Sequence, residues 1–277
     1  MTCKEVFERI DECERNGVFD EHVDPIPREL VIPVDENYRY VGDRGFFENI
    51  KYSLEKFFCV WPFTWYENKF VLKTEYVGRE NLRGLKAAVL TCNHVAKFDC
   101  LAVKYGARGH RTYTVAADFN NMRGTLGELM RAGDMLPLNT TLRGKIKFSK
   151  AVERVLAKKK QFLLVYPEAA MWRYYKKPRP FKNGAFDFAV KYNVPVVPQF
   201  ITFEDMKTTD AEGYPKQKFT VHISKPVYPK SGVSKSENTE YLKNAAFDFC
   251  KKVYEETYKK PLEYTCDADD EKESKNG

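Results

Sequence analysis

The sequence contains no CxxC pair, no HExxH, no GxSxG, no GxGxxG and no GxxxxGK[ST] run. Those absences disfavour zincins, serine hydrolases built on a nucleophile elbow, and P-loop enzymes. Nowhere do about 18 apolar residues follow one another without interruption, so no membrane-spanning helix is expected. The opening MTCKEVFERIDECERNG is polar and acidic, where a secretory leader has a basic start and an apolar core. Histidine is scarce, at positions 22, 94, 110 and 222, and the seven cysteines fall at irregular spacings. That spacing signals neither a zinc site nor a disulfide framework, and free thiols suit a reducing cytoplasm.

What is present is enough apolar material for a real core: 43% of the 277 residues are hydrophobic and 31% charged. The net charge of +7 conceals an asymmetry. Residues 1–36 carry four basic and eleven acidic side chains, whereas Thr141 to Lys182 carries thirteen basic ones against Glu153 and Glu168 alone. A field of that kind predicts an anionic partner: nucleic acid, a membrane surface or a phosphorylated substrate. Charge alone does not choose among them, although no recognised nucleic-acid-binding motif accompanies it.

Residues 1–74 read as an accessory region: a polar helix up to Asn16, a proline-punctuated extended stretch, then GFFENIKYSLEKFFCVWPFTWYENKF. In this last segment Phe57, Phe58, Trp61, Phe63 and Trp65 flank an expected break at Pro62, with Lys51, Lys56 and Lys69 nearby. Such a mixture suits the headgroup zone of a membrane, and equally a helix packed on the core. From Phe70, short runs rich in Val, Leu, Ile, Phe and Tyr alternate with helical patterns. FVLKTEYVG, AAVLTCNH, RTYTVAAD, DMLPL, QFLLVYPE, VPVVPQFITF and KFTVHISKPV read as strands, with helices between most of them. The alternation predicts an α/β domain over residues 75–260, with a largely parallel central sheet flanked by helices. A final helix is expected at Glu240–Tyr258 and a polar tail at 261–277.

One polar cluster stands where AAVLTCNH ends. Asn93 and His94 are followed five positions later by Asp99, and in open α/β sheets ligands bind at the carboxyl ends of strands. A chain that turns after His94 and enters a helix near Asp99 can fold the carboxylate onto Nδ1, leaving Nε2 to accept a proton from a hydroxyl. An imidazole, with its ordinary pKa of about 6.5, suits a base near neutrality. Cys92 is the rival nucleophile, although a buried cysteine at a strand end usually serves packing. Further on, QFLLVYPE ends in Glu168 and leads into the basic aromatic loop AAMWRYYKKPRPFKNGA. There a carboxylate can accept from hydroxyls and the cations can pair with phosphate.

These blocks resemble the glycerolipid acyltransferases, the family that includes lysophosphatidic acid (1-acylglycerol-3-phosphate) acyltransferase. The NHxxxxD hallmark stands as Asn93 to Asp99, and Phe-Pro-Glu-Gly is approximated by Tyr166-Pro167-Glu168-Ala169. Phe-Lys-x-Gly-Ala appears as Phe181 to Ala185, and Val-Pro-Val-x-Pro as Val194 to Pro198. Order and spacing agree over about residues 75–225. The resemblance implies a glycerol-3-phosphate acyltransferase-like fold with His94 as general base and Asp99 orienting it. Asn93, Glu168, Arg173, Lys182, Gly184 and Arg143 are the implied substrate-binding residues. It further implies acyl-CoA or acyl-carrier protein as donor, a lysophospholipid as acceptor, backbone N–H groups stabilising the oxyanion, and neither metal nor cofactor.

Two departures bear on the acceptor. The family's arginine after the strand DMLPL is replaced by Pro137-Leu138-Asn139-Thr140, with Arg143 a few residues late, and its Gly-Thr-Arg after the glutamate is replaced by Ala169-Ala170-Met171, with Arg173 next. Either Arg143 and Arg173 take the phosphate, or the acceptor is not lysophosphatidic acid. The expectation is therefore a cytoplasmic enzyme held peripherally on the inner face of a membrane, attracted by its anionic surface. A catalytically silent lipid-binding scaffold is the alternative.

Overall fold

The computed structural model describes residues 1–24 and 26–266. Most of the polar tail expected over 261–277 lies outside the described residues. Seven strands form one sheet: β1 Glu75–Val77, β2 Ala88–Thr91, β3 Thr112–Ala116, β4 Met135–Pro137, β5 Phe162–Val165, β6 Val196–Thr209 and β7 Pro215–Ile223. Five of them lie wholly within runs expected to be strands, while β6 continues past the expected Phe203 and β7 begins ahead of the expected Lys218, because the two pair as an antiparallel hairpin. Their order is β1-β7-β6-β2-β5-β3-β4, and every pairing is parallel except β6 with β7. The expected largely parallel α/β sheet is what forms.

Both faces of the sheet are covered, which is why its strands read as continuous apolar runs. Side chains still alternate. Val89, Leu163 and Val196 enter one core with Phe148, Val152, Phe186, Ala189 and Leu242, while Ala88, Leu90, Phe162, Leu164 and Val197 enter the other with Leu82, Ala102 and Val103. Each fully buried side chain of this size contributes about 1.5–3 kcal/mol.

The helices that supply these layers are α1 Cys3–Arg15, α2 Phe46–Glu55, α3 Trp61–Tyr66, α4 Asp99–Gly106, α5 Gly124–Ala132, α6 Leu142–Glu153, α7 Gly184–Tyr192 and α8 Lys235–Tyr258. Two of them start earlier than their apolar periodicity suggests, because side chains cap them. The Thr141 hydroxyl accepts the Gly144 N–H at the start of α6, and Ser234 and Glu237 form a capping box at the start of α8.

Pro62 does not break the aromatic segment. A π-helical turn, Lys56–Val60, joins α2 to α3, and another, Glu67–Val71, continues it, with helical dihedrals at both Val60 and Trp61. The wider i to i+5 spacing of the turn before Pro62 displaces the carbonyls its ring would otherwise meet. The first expected strand shrinks for the same reason: its Phe70 and Val71 belong to the helical run.

The aromatic helical run is largely uncovered. Phe47, Ile50, Leu54, Phe57, Phe58, Trp61 and Trp65 are all exposed along about 30 Å of helix, as are Phe63, Tyr66 and Phe70. Other residues anchor the run. Lys56 pairs with Asp134, Phe63 meets Phe98 edge-on at 5.5 Å, and Asn68 Nδ2 donates to the Leu101 carbonyl. Lys56, expected among headgroup cations, is instead a partly buried mounting point. Among the described residues no helix is long and apolar enough to cross a membrane.

Candidate active site

Parallel pairing sets Thr91 of β2 beside Val165 of β5. The residues that follow these two strands therefore leave the sheet together, bringing Asn93-His94 next to Tyr166-Pro167-Glu168. In the turn after β2, Asp99 opens α4 and is 0% exposed. Its Oδ2 lies 2.8 Å from His94 Nδ1 and accepts the N–H groups of Val95 at 2.7 Å and Ala96 at 3.0 Å. Its Oδ1 accepts from Tyr166 Oη at 2.6 Å. Both oxygens of this buried carboxylate thus accept hydrogen bonds. His94 lies against Tyr166, with its side chain 25% exposed, and Nε2 has no partner among the described residues. Five-residue spacing thus does bring imidazole and carboxylate together, because the chain turns between them.

Asn93 and Glu168, expected to bind substrate, are sealed at 1% and 2% exposure. The Asn93 amide pairs with both backbone groups of Ile201, extending the contact between β2 and β6. Glu168 Oε2 accepts the His94 N–H at 3.2 Å and Arg179 Nη2 at 2.7 Å, and Oε1 accepts the Arg179 N–H. Both side chains fix the backbone that carries His94. The amides of His94, Val95 and Ala96 are spent on carboxylates, so donors to an acyl oxyanion must come from elsewhere.

The cations expected to meet phosphate are spread out. Arg173 pairs with Asp210 at 3.1 Å on the β6–β7 hairpin, and Lys182 pairs with Asp20 at 2.7 Å. Arg143 is exposed on the first turn of α6. That turn follows edge strand β4, three strand spacings or about 14 Å from β2. Gly184 opens α7 with free space where a Cβ would stand, so nothing steric requires glycine there. Cys92 is 1% exposed and burial pushes its thiol well up, which leaves no thiolate for nucleophilic attack.

Three contributors escaped the sequence reading. Arg179, 1% exposed, ties Glu168 to the Ala170 and Phe19 carbonyls while its guanidinium lies 4.6 Å over the Trp172 ring. Tyr166 is the donor to Asp99. The third is a strap, residues 19–24. Trp172 Nε1 donates to the Glu21 carbonyl, Val23 is fully buried, and Asp24 pairs with Lys97. His22 on this strap meets Phe119 edge-on, and burial pushes its pKa down, partly offset by the Glu21 carboxylate. Only the acidic character of residues 1–36 hinted at such a strap.

Residues 73–202 match the family model described as Acyltransferase. A search of curated proteins finds no match. Among solved structures, the chain is similar to the 1-acyl-sn-glycerophosphate (LPA) acyltransferase PlsC from Thermotoga maritima, with a TM-score of 0.49 and 18% identity, covering 75% of this chain and 96% of that one.

Proposed function

We propose that this chain, whose residues 73–202 match the family model described as Acyltransferase, moves a fatty acyl group from acyl-CoA or acyl-carrier protein to the free hydroxyl of a lysophospholipid at a membrane surface. The observation that carries this reading is the 2.8 Å contact between His94 Nδ1 and Asp99, which turns an unpartnered Nε2 outward. The acceptor hydroxyl gives its proton to Nε2 as its oxygen attacks the thioester carbonyl. The tetrahedral intermediate then collapses, the C–S bond breaks, and the imidazolium returns the proton to the departing thiolate. Asp99 fixes the tautomer and balances the imidazolium charge. These steps use no metal.

The exposed aromatic run supports peripheral attachment. Apolar side chains along a helical run are suited to the boundary between headgroups and acyl chains, and Phe63 of the same run reaches Phe98 in the turn beside His94. In this reading a lipid acyl chain approaches the base along α3. Arg173 and Lys182 are the proposed contacts for the acceptor's phosphate, once Asp210 and Asp20 release them, while Arg143 on α6 stands apart from them.

The test is a transfer assay with lysophospholipid vesicles and either donor, with products identified by mass spectrometry. His94→Ala is expected to lose about 10²–10⁴-fold in rate with its unfolding transition unchanged. An unaltered rate in that variant would exclude His94 as the base. Vesicle binding by the native protein with no turnover for any headgroup would instead identify a silent lipid-binding scaffold.

A further inference from the structure

A cavity of about 230 Å³ lies between the loop before α2 and the outer face of α6, lined by Val41, Asp43, Lys147, Lys150, Ala151 and Arg154. We infer that this cavity binds the phosphate of an anionic phospholipid headgroup and orients the domain on the membrane. The inference rests on the membrane-surface part of the proposed function and is independent of the transfer chemistry.

Lys147, Lys150 and Arg154 recur at i, i+3 and i+7, so they project from one side of the helical run over about 10 Å. None of the three forms an ion pair among the described residues, in contrast to Lys97, Lys177, Lys182, Arg173 and Arg179, each of which meets a carboxylate. Asp43 is the single acid in the lining, so positive charge is in excess. Gly42 takes a φ of +93°, and a Cβ there would stand 1.4 Å from Arg154 Nη1. The loop therefore closes directly on the guanidinium and holds in place the group best shaped for a phosphate.

The rim selects a lipid as the source of that phosphate. Phe46 and Phe47, 73% and 84% exposed, begin three residues after Asp43, a distance the chain spans in at most about 11 Å. On α6 itself Leu142 and Ile146 are exposed beside Arg143 and Lys147. A free anion gains nothing from these apolar neighbours, whereas a headgroup in the cavity sets them against the acyl region of its own leaflet. The site is far from His94: α6 follows edge strand β4 and His94 follows β2, so the lipid held here is a docking ligand and not the reacting one.

The experiment is cosedimentation of the full chain with phosphatidylcholine vesicles, with and without phosphatidylglycerol. It compares the native protein, Lys147→Ala/Lys150→Ala, and a charge-matched control on the hairpin, Lys207→Ala/Lys216→Ala. At about 1 kcal/mol per lysine, the α6 variant is expected to lose roughly ten- to thirty-fold in affinity for the anionic vesicles. Its affinity for neutral vesicles and its transfer rate on detergent-dispersed substrate should be unchanged, while the control loses little. Equal losses in both variants would replace the site by a diffuse field, and no loss in either would remove it. Binding of inorganic phosphate alone to the native protein as tightly as it binds the anionic vesicles, at matched ionic strength, would overturn the lipid as ligand. Absence of transfer by every protein, with the binding pattern intact, would reject the enzyme reading and leave the site standing.

Discussion

The imidazole of His94 stacks on the phenol ring of Tyr166, with centroids 4.0 Å apart and planes within 17° of each other. The same phenol donates to Asp99, so one residue supports both members of the dyad. Burial and the adjacent Asp99 charge push the Tyr166 pKa well up, so its hydroxyl remains a donor over the working pH range. Tyr166→Phe keeps the stack and removes one hydrogen bond to a charged group, at a cost of about 1.5–3 kcal/mol in stability by urea denaturation. Asp99 keeps its other donors, so kcat should fall only about two- to five-fold. Tyr166→Leu, which also removes the stack, should fall further. Equal rates in the two variants would show that the ring does not position His94.

The next prediction concerns the backbone just beyond Glu168. Ala169 takes a φ of +67°, in the left-handed region that costs a residue with a Cβ about 1–2 kcal/mol. It is exposed, so its methyl packs against little. Ala169→Gly should relieve the strain at some cost in unfolded-chain entropy, for a net gain of about 0.5–1 kcal/mol in thermal or urea unfolding. A loss of stability would mean that the turn is set by the methyl group after all.

How much of this was legible before the structure depended on whether partners were close in sequence or in topology. The strands were readable because residues such as 88–91 and 162–165 are apolar on both faces, and His94 with Asp99 was readable because one strand end carries both. Arg179 was not: it is one of five cations between Arg173 and Lys182, and only the fold shows that its partner is Glu168. The opposite charges of the first 36 residues and the middle of the chain were visible, but not that they meet each other. Lys177 with Glu14 and Lys182 with Asp20, two of the thirteen cations of that stretch, together with Lys97 and Asp24, turn part of an apparent attraction for outside anions into internal pairing. Pro62 misled because a break follows from its ring only in a regular α-helix, and the π-helical turn before it changes the geometry.

Lys56 provides a prediction in pH. Burial brings its ammonium down to about 8 from 10.5, and the neighbouring Asp134 only partly offsets this. The folded protein therefore releases this proton before the unfolded chain does, and between pH 8 and 10.5 this group makes stability rise with pH. Below pH 8 it is a buried charge. Lys56→Met should be at least as stable as the native protein at pH 7, because Asp134 retains two contacts with Arg111 at 2.7 and 3.1 Å. The advantage should shrink as pH approaches 10.5. Urea denaturation of both proteins at pH 7, 9 and 10.5 checks this, and a parallel pair of curves would show that Lys56 does not titrate early.

The strap sets the last prediction, which bears on the acceptor's headgroup. Asp20 and Asp24 neutralise Lys182 and Lys97, cations on the loops that follow β5 and β2, and Lys182 holds the Asp20 pKa below its usual value. These pairs are solvent-exposed, and each contributes about 0–1 kcal/mol to folding. The strap has other attachments, from Val23, from Trp172 to Glu21 and from Arg179 to Phe19, so Asp20→Asn/Asp24→Asn should leave it in place. What changes is the charge presented to the acceptor. Under the proposed function, two freed lysines should lower the KM for lysophosphatidic acid about three- to ten-fold at low salt and alter that for zwitterionic lysophosphatidylcholine much less, with the difference shrinking as salt screens it. Steady-state kinetics on both lipids at low and high salt measures the ratio. If both KM values move together, Lys97 and Lys182 do not lie on the headgroup's path, and the strap carboxylates serve only to hold the loop that carries Trp172 and Arg179.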